Sequence, residues 1–336
     1  MLVFRMLAAV ALAAVATSAA AQQPIVVRFS HVVTVDTPKG SAAIKFKQLA
    51  EERSKGRVKV EVYPNSQLYK DGEELESLQR GAVQMLAPSV SKFGPIGARE
   101  FEVFDLPYLF PNVEAVNRVT DGEIGRKLFA KLEPKGIKGL AYWDNGFKQM
   151  SANRPVRKLQ DFQGLKVRVQ SSKVIAATFR QIGALPQVMS FSEVYSALQQ
   201  GVIDGTENTV SNFYTQKMHE VQKHLTLSDH GYILYAVIVN KKFWDGLPAD
   251  VRSMLEQAMK EATIYERGIA QKDNEGALAA VKAAGTTEIY TLPAQERQAW
   301  QQAMLPVHKQ FEAAVGRDLL NAIYAISAES QKAKSK

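Results

Sequence analysis

The chain has 336 residues, 46% hydrophobic and 23% charged, with 42 Lys+Arg against 34 Asp+Glu and no cysteine. That mix excludes a disordered, collagenous or multispan membrane chain, and the missing cysteine excludes disulfides, thiolate zinc sites, iron–sulfur clusters and cysteine nucleophiles. The net +8 charge is dispersed, which argues against nucleic acid and for small anions.

The first 21 residues read as an export signal. Arg5 supplies the positive n-region, 6–16 an unbroken apolar stretch, and Ala19-Ala20-Ala21 the small-residue cleavage site. That stretch falls short of the ~20 residues that span a bilayer. The mature chain, from Gln22, is therefore expected to be periplasmic and not membrane-embedded.

Residues 25–30 (IVVRFS) read as a strand and 41–54 as an amphipathic helix. The alternation in 57–63 (RVKVEVY) predicts a second strand, closed by the turn Pro64-Asn65-Ser66. A short helix at 73–80 and a short buried strand at 83–88 follow. This strand–helix succession is the mark of a parallel sheet with helical crossovers. A new strand group begins at 139–143. LKVRVQ (165–170) alternates again, followed by a helix at 173–182, a short extended step at 187–188 and a helix at 192–200. Pro248 then starts a helix that runs to about 284, with Gly268 and Gly276 as candidate kinks. At 1.5 Å per residue it is about 55 Å long, enough to cross two domains as a spine. Two further helices, 293–315 and 318–327, end in a polar tail. The fold class is thus α/β.

Catalytic signatures are missing. His219, Glu220 and His224 suggest a zinc helix, but histidines five apart sit about 140° around a helix and cannot share one metal; solvated polar residues of a helix are the plainer expectation. There is no G-x-S-x-G elbow and no glycine-rich phosphate loop. No metal or cofactor is expected, and no enzymatic activity. Arg168 stands out at an alternating position of LKVRVQ. The pattern alone allows a solvated strand face or a cleft, where its guanidinium fork would hold a carboxylate. Three polar segments stand near ends of apolar steps, where α/β clefts bind ligands: PSVSK (88–92), NGFKQ (145–149) and DGTEN (204–208).

These residues carry a resemblance. FSHVVTVDTPKG (29–40), the stretch from YPNSQLYKDG to KFGP (63–95), FDLPYLF (104–110), GLKVRVQSS (164–172), MSFSEVYSALQQGVIDGTEN (189–208) and NFYTQKMHEVQKHLTLSDHGY (212–232) together resemble the solute receptors of tripartite ATP-independent periplasmic (TRAP) transporters. The similarity is greatest to the C4-dicarboxylate-binding DctP branch. It implies a two-domain binding-protein fold with hinge strands: domain I of 22–146 plus 233–273, and domain II of 147–232 plus 274–330. The long helix would span both.

The resemblance also implies site residues. Arg168 is the carboxylate clamp, Asn208 helps hold the same carboxylate, and Phe191 is the aromatic wall beneath it. Lys148 matches a second basic position and Lys92 a basic residue facing from domain I. Ser89 and Ser91 lie beside Lys92, while His31 and Lys39 border the domain I half. The implied function is a monomeric receptor that closes on succinate, fumarate or malate and delivers it to the membrane permease of the transporter. A keto acid or aromatic monocarboxylate is the alternative ligand. A periplasmic hydrolase on the same scaffold is the alternative class.

Overall fold

The computed structural model describes residues 23–334, so the export signal lies outside the described residues. Among the described residues eleven strands form two sheets. The first contains β1 (Ile25–Ser30), β2 (Val58–Tyr63), β3 (Met85–Leu86), β4 (Ile137–Phe147) and β10 (Tyr232–Asn240), in the order β2-β1-β3-β10-β4. The second contains β5 (Gln149–Ala152), β6 (Lys166–Val169), β7 (Leu185–Val188), β8 (Gly205–Asn208), β9 (His224–Leu227) and β11 (Glu288–Thr291), in the order β11-β9-β5-β8-β6-β7. β1 runs parallel to β2 and β3 through helical crossovers, while β10 is antiparallel to both its neighbours. The result is the expected two-lobed α/β architecture.

The chain crosses between lobes at a few points. β4 ends at Phe147 and β5 begins at Gln149, so Lys148 alone separates a strand of one sheet from a strand of the other. The return runs from β9 to β10 through 228–231, and Lys148 N–H donates to Gly231 O at 2.9 Å, tying the two crossings together. Gly146 just before has φ +116°, which favours glycine, and a register shift falls opposite it at Ile233/Leu234.

The long helix is one unbroken element, Ala249–Ala284, so Gly268 and Gly276 do not end it. Its apolar stripe of Val251, Leu255, Ala258, Met259 and Ala262 packs against Phe29, Trp143 and Val237 of the first sheet. Further along, Ala277 and Val281 pack with Phe213 and Leu225 of the second lobe. Between them Asn274 accepts from Ser211 N–H of the second lobe at 3.0 Å and donates to Asn145 O of β4 at 2.7 Å. Each fully buried aliphatic or aromatic side chain contributes about 1.5–3 kcal/mol, so this stripe fixes the helix as the spine.

Two sequence expectations change. The tail helices Pro306–Val315 and Arg317–Lys334 place Val307, Val315, Leu320 and Ile323 in one cluster with Phe104, Val116 and Leu132 of the first lobe. An apolar helix face shows that a partner exists, not which sheet provides it. The segment holding His219 and His224 is not a helix: His219 sits in a single tight turn, Met218–Glu220, and His224 opens β9.

Candidate functional site

β6 presents Arg168 to the space between the lobes. Val167 and Val169 point into the core, and Arg168 on the other face is 2% exposed, so it is buried in the cleft, not on a solvated face. Its Nε and Nη2 both donate to Met189 O, at 3.1 and 3.0 Å, and its guanidinium lies 5.5 Å from the Phe191 ring centre. Those contacts fix the plane of the fork and leave its Nη1 end for another acceptor.

β8 runs between β5 and β6, and all four of its residues are buried. A Cβ at Gly205 would stand 2.3 Å from Ser151 O, so the close strand pairing demands glycine there. Asn208 ends this strand, and its Oδ1 accepts from Thr209 N–H and Asn212 Nδ2, each at 2.9 Å. That turns the amide nitrogen, a donor, to the cavity beside Arg168.

The cavity is nearly filled by its lining side chains and keeps a volume of about 30 Å³, room for little more than water. Arg168, Phe191, Asn208, Gln170 and Asn212 line it from the second lobe; Lys39, Asp71, Ser89 and Lys92 line it from the first. Val32, Val33, Ile233 and Tyr235 add apolar wall. With Lys39 protonated, three cations and one anion face it, a formal net charge of +2.

The cations are not equivalent. Lys92 Nζ is 3.0 Å from Asp71 Oδ2 and 3.1 Å from Glu74 Oε1. Among the described residues Lys39 Nζ has no carboxylate partner; it donates to Ala87 O at 3.0 Å and lies 3.6 Å from the Tyr235 ring centre. Burial, with Lys92 adding repulsion against the attraction of Glu74 and Asp71, pushes Lys39 down to about 7. A carboxylate brought beside it would restore its charge.

The other expected residues stand elsewhere. Lys148 does not line the cavity: at the crossing its Nζ is 2.8 Å from Glu207 Oε2, with His230 Nε2 3.7 Å from the same oxygen. Ser91 lies behind Ser89, accepting from it at 3.1 Å and donating to Asp105 at 2.5 Å. His31 is fully buried edge-on to Phe29, and burial together with the Lys39 charge lowers its imidazole to about 3, so it is neutral. The sequence reading missed Asp71, Gln170, Asn212 and Tyr235. Asp71 sits in Lys70-Asp71-Gly72, a triplet with the look of any surface turn.

The family of bacterial extracellular solute-binding proteins, family 7 (DctP), matches residues 29–314. The C4-dicarboxylate-binding periplasmic protein DctP of Rhodobacter capsulatus is 62% identical over 307 residues, covering 91% of this chain and 92% of that protein. A TRAP periplasmic solute-binding protein from Shewanella oneidensis with bound succinate superposes with a TM-score of 0.89 at 44% identity, covering 90% of this chain and 99% of that one. One from Pseudomonas aeruginosa with bound L-malate gives 0.83 at 44% identity, covering 85% and 100%.

Proposed function

The chain belongs to the DctP family of bacterial extracellular solute-binding proteins, and on that premise we propose that it is the periplasmic receptor of a TRAP transporter that captures C4-dicarboxylates. The observation that carries the reading is a cavity with a cationic pole on each lobe: Arg168 on the second, Lys39 with Lys92 on the first. A monocarboxylate needs one pole. A four-carbon dianion needs two, and it neutralises the net +2 of the lining.

In the proposed mechanism the Arg168 fork and the Asn208 amide take one carboxylate by charge-assisted bonds over the Phe191 ring. Lys39, Lys92 and Ser89 take the other. Val32, Val33 and Ile233 enclose the carbon chain. Because the two carboxylates are held by different lobes, ligand stabilises the closed arrangement, with motion at the Lys148 and 228–231 crossings. The receptor binds and releases its ligand without covalent change and hands it to the membrane permease. No helix among the described residues is long and apolar enough to cross a membrane, which suits a diffusing carrier.

A thermal-shift screen tests the substrate class. Succinate, fumarate and malate at 100-fold their dissociation constants add about 2.7 kcal/mol each, which raises the melting temperature by several degrees. Neutral sugars and free amino acids leave it unchanged. A shift with monocarboxylates or sugars alone overturns the C4 assignment.

A further inference from the structure

Asp71 belongs to the first lobe, in the turn before the helix Glu74–Gln79, yet it reaches the second. Its Oδ1 accepts from Phe191 N–H at 2.9 Å, and its Oδ2 lies 3.6 Å from Arg168 Nη2 and 3.0 Å from Lys92 Nζ. The next residue back, Lys70, pairs with Glu193 at 2.7 Å, two residues past Phe191. The two contacts are differently placed: Lys70 and Glu193 are about half exposed, while the Asp71 side chain is only 8% exposed. Solvent screening makes the first weak and leaves the second strong.

We propose that Asp71 is a positioning residue for the Arg168 clamp and a clasp between the lobes, which joins the first-lobe Lys92 to the second-lobe Phe191 amide and Arg168 guanidinium. This inference rests on the receptor reading and deepens it: the clasp sets how long the closed receptor retains a carboxylate. Lys92 has a second partner in Glu74, so its charge alone does not call for Asp71. What Asp71 alone supplies is an acceptor on the far side of the cleft. It also offsets one cation of the lining, so that two ligand charges balance the rest. Although burial favours the neutral acid, Lys92 and Arg168 outweigh it and hold the Asp71 carboxyl below its usual range, so the clasp is charged at neutral pH. Every group in it is the protein's own, so it acts with or without ligand.

The chain has no cysteine, so Glu52→Cys and Gln200→Cys, both at exposed positions, give a unique spin-label pair with one label on each lobe. The expected result is a shift toward longer interlobe distances in ligand-free Asp71→Ala, with Asp71→Asn, which keeps the shape and an acceptor oxygen, in between. Succinate should leave Asp71→Ala about tenfold faster in stopped-flow displacement, with association changed less than about threefold, because one charge-assisted bond is lost from the closed state only. Circular dichroism checks folding, and Asp71→Asn carries the test should the alanine variant not fold. Ligand-free distances and dissociation rates matching those of the protein with Asp71 intact overturn the clasp. Faster association with tighter binding also overturns it, by making Asp71 a competitor for Arg168. Failure of succinate to bind the protein with Asp71 intact in the same stopped-flow assay sinks the C4-dicarboxylate reading instead, and the ligand-free distances still judge the clasp.

Discussion

Lys39 and Lys148 are both buried lysines between the lobes, exposed to 1% and 3%, and both stood as ligand contacts in the sequence. The structure separates them by their partners. Lys148 has Glu207 at 2.8 Å, with His230 behind it, so its charge is compensated within the protein. Lys39 meets a carbonyl and a tyrosine face, with no carboxylate in contact among the described residues. Keeping an ammonium in such a place costs several kcal/mol unless something compensates it. In this pair Lys148, with its resident carboxylate, braces the crossing, whereas Lys39, which lines the cavity without one, is the lysine that the proposed ligand would compensate.

The sharpest break in this comparison comes from the clamp. Arg168→Ala should weaken succinate binding at least about 100-fold, since two charge-assisted bonds at roughly 1.5–3 kcal/mol each are lost. Arg168→Lys should cost about tenfold, because an ammonium keeps the charge and not the fork. Titration calorimetry on variants with native circular dichroism reads both, and near-native affinity for Arg168→Ala would remove this residue from the site.

The two lysines should then part in opposite directions. Lys148→Met strands the buried Glu207 and should destabilise the protein by about 3–5 kcal/mol, lowering the melting temperature by roughly 10 °C. Lys39→Met leaves no orphaned carboxylate. It should preserve or raise the melting temperature of the free protein while weakening succinate about tenfold. Equal melting temperatures for the two variants would erase the distinction.

A smaller effect follows from pH. Lys39 titrates near 7 in the folded protein against 10.5 in its ordinary state. Between those values the unfolded chain binds more protons than the native one, so the contribution of this group to stability rises with pH. Succinate affinity should fall over the same window, since the bound carboxylate needs the ammonium. Calorimetry at pH 6.5 and pH 8.5 should show this fall, and Lys39→Met should abolish it. The least effect belongs to the half-exposed Lys70–Glu193 pair: Lys70→Ala should cost less than about 1 kcal/mol of closure.

Much of the fold was legible because local pattern decides it. The alternation of RVKVEVY and the unbroken run from Pro248 define β2 and the spine without reference to partners. Two kinds of feature were not. Strand β10, YILYAVIVN, is buried at all nine positions, so it shows no alternation, and β8 is a buried strand whose polar GTEN reads as a loop. In the site, charge on an apolar strand singled out Arg168, but that pattern left a solvated face and a cleft both open, and the family resemblance alone implied the clamp. What separates Lys148 from Lys39 is a glutamate 59 residues away in the chain, and what makes Asp71 notable is an amide 120 residues away. Pairings at that separation are products of tertiary packing, which charge and spacing do not display.

The central claim is that the cleft has two cationic poles and that each takes a carboxylate. Titration calorimetry comparing succinate with butyrate tests it most directly, because the two share a four-carbon chain and differ in the second carboxylate. Succinate should bind, with butyrate weaker by about 100-fold as the bonds to one pole go unmade. Equal affinity for the two acids would contradict the account, leaving Arg168 as the only pole that acts.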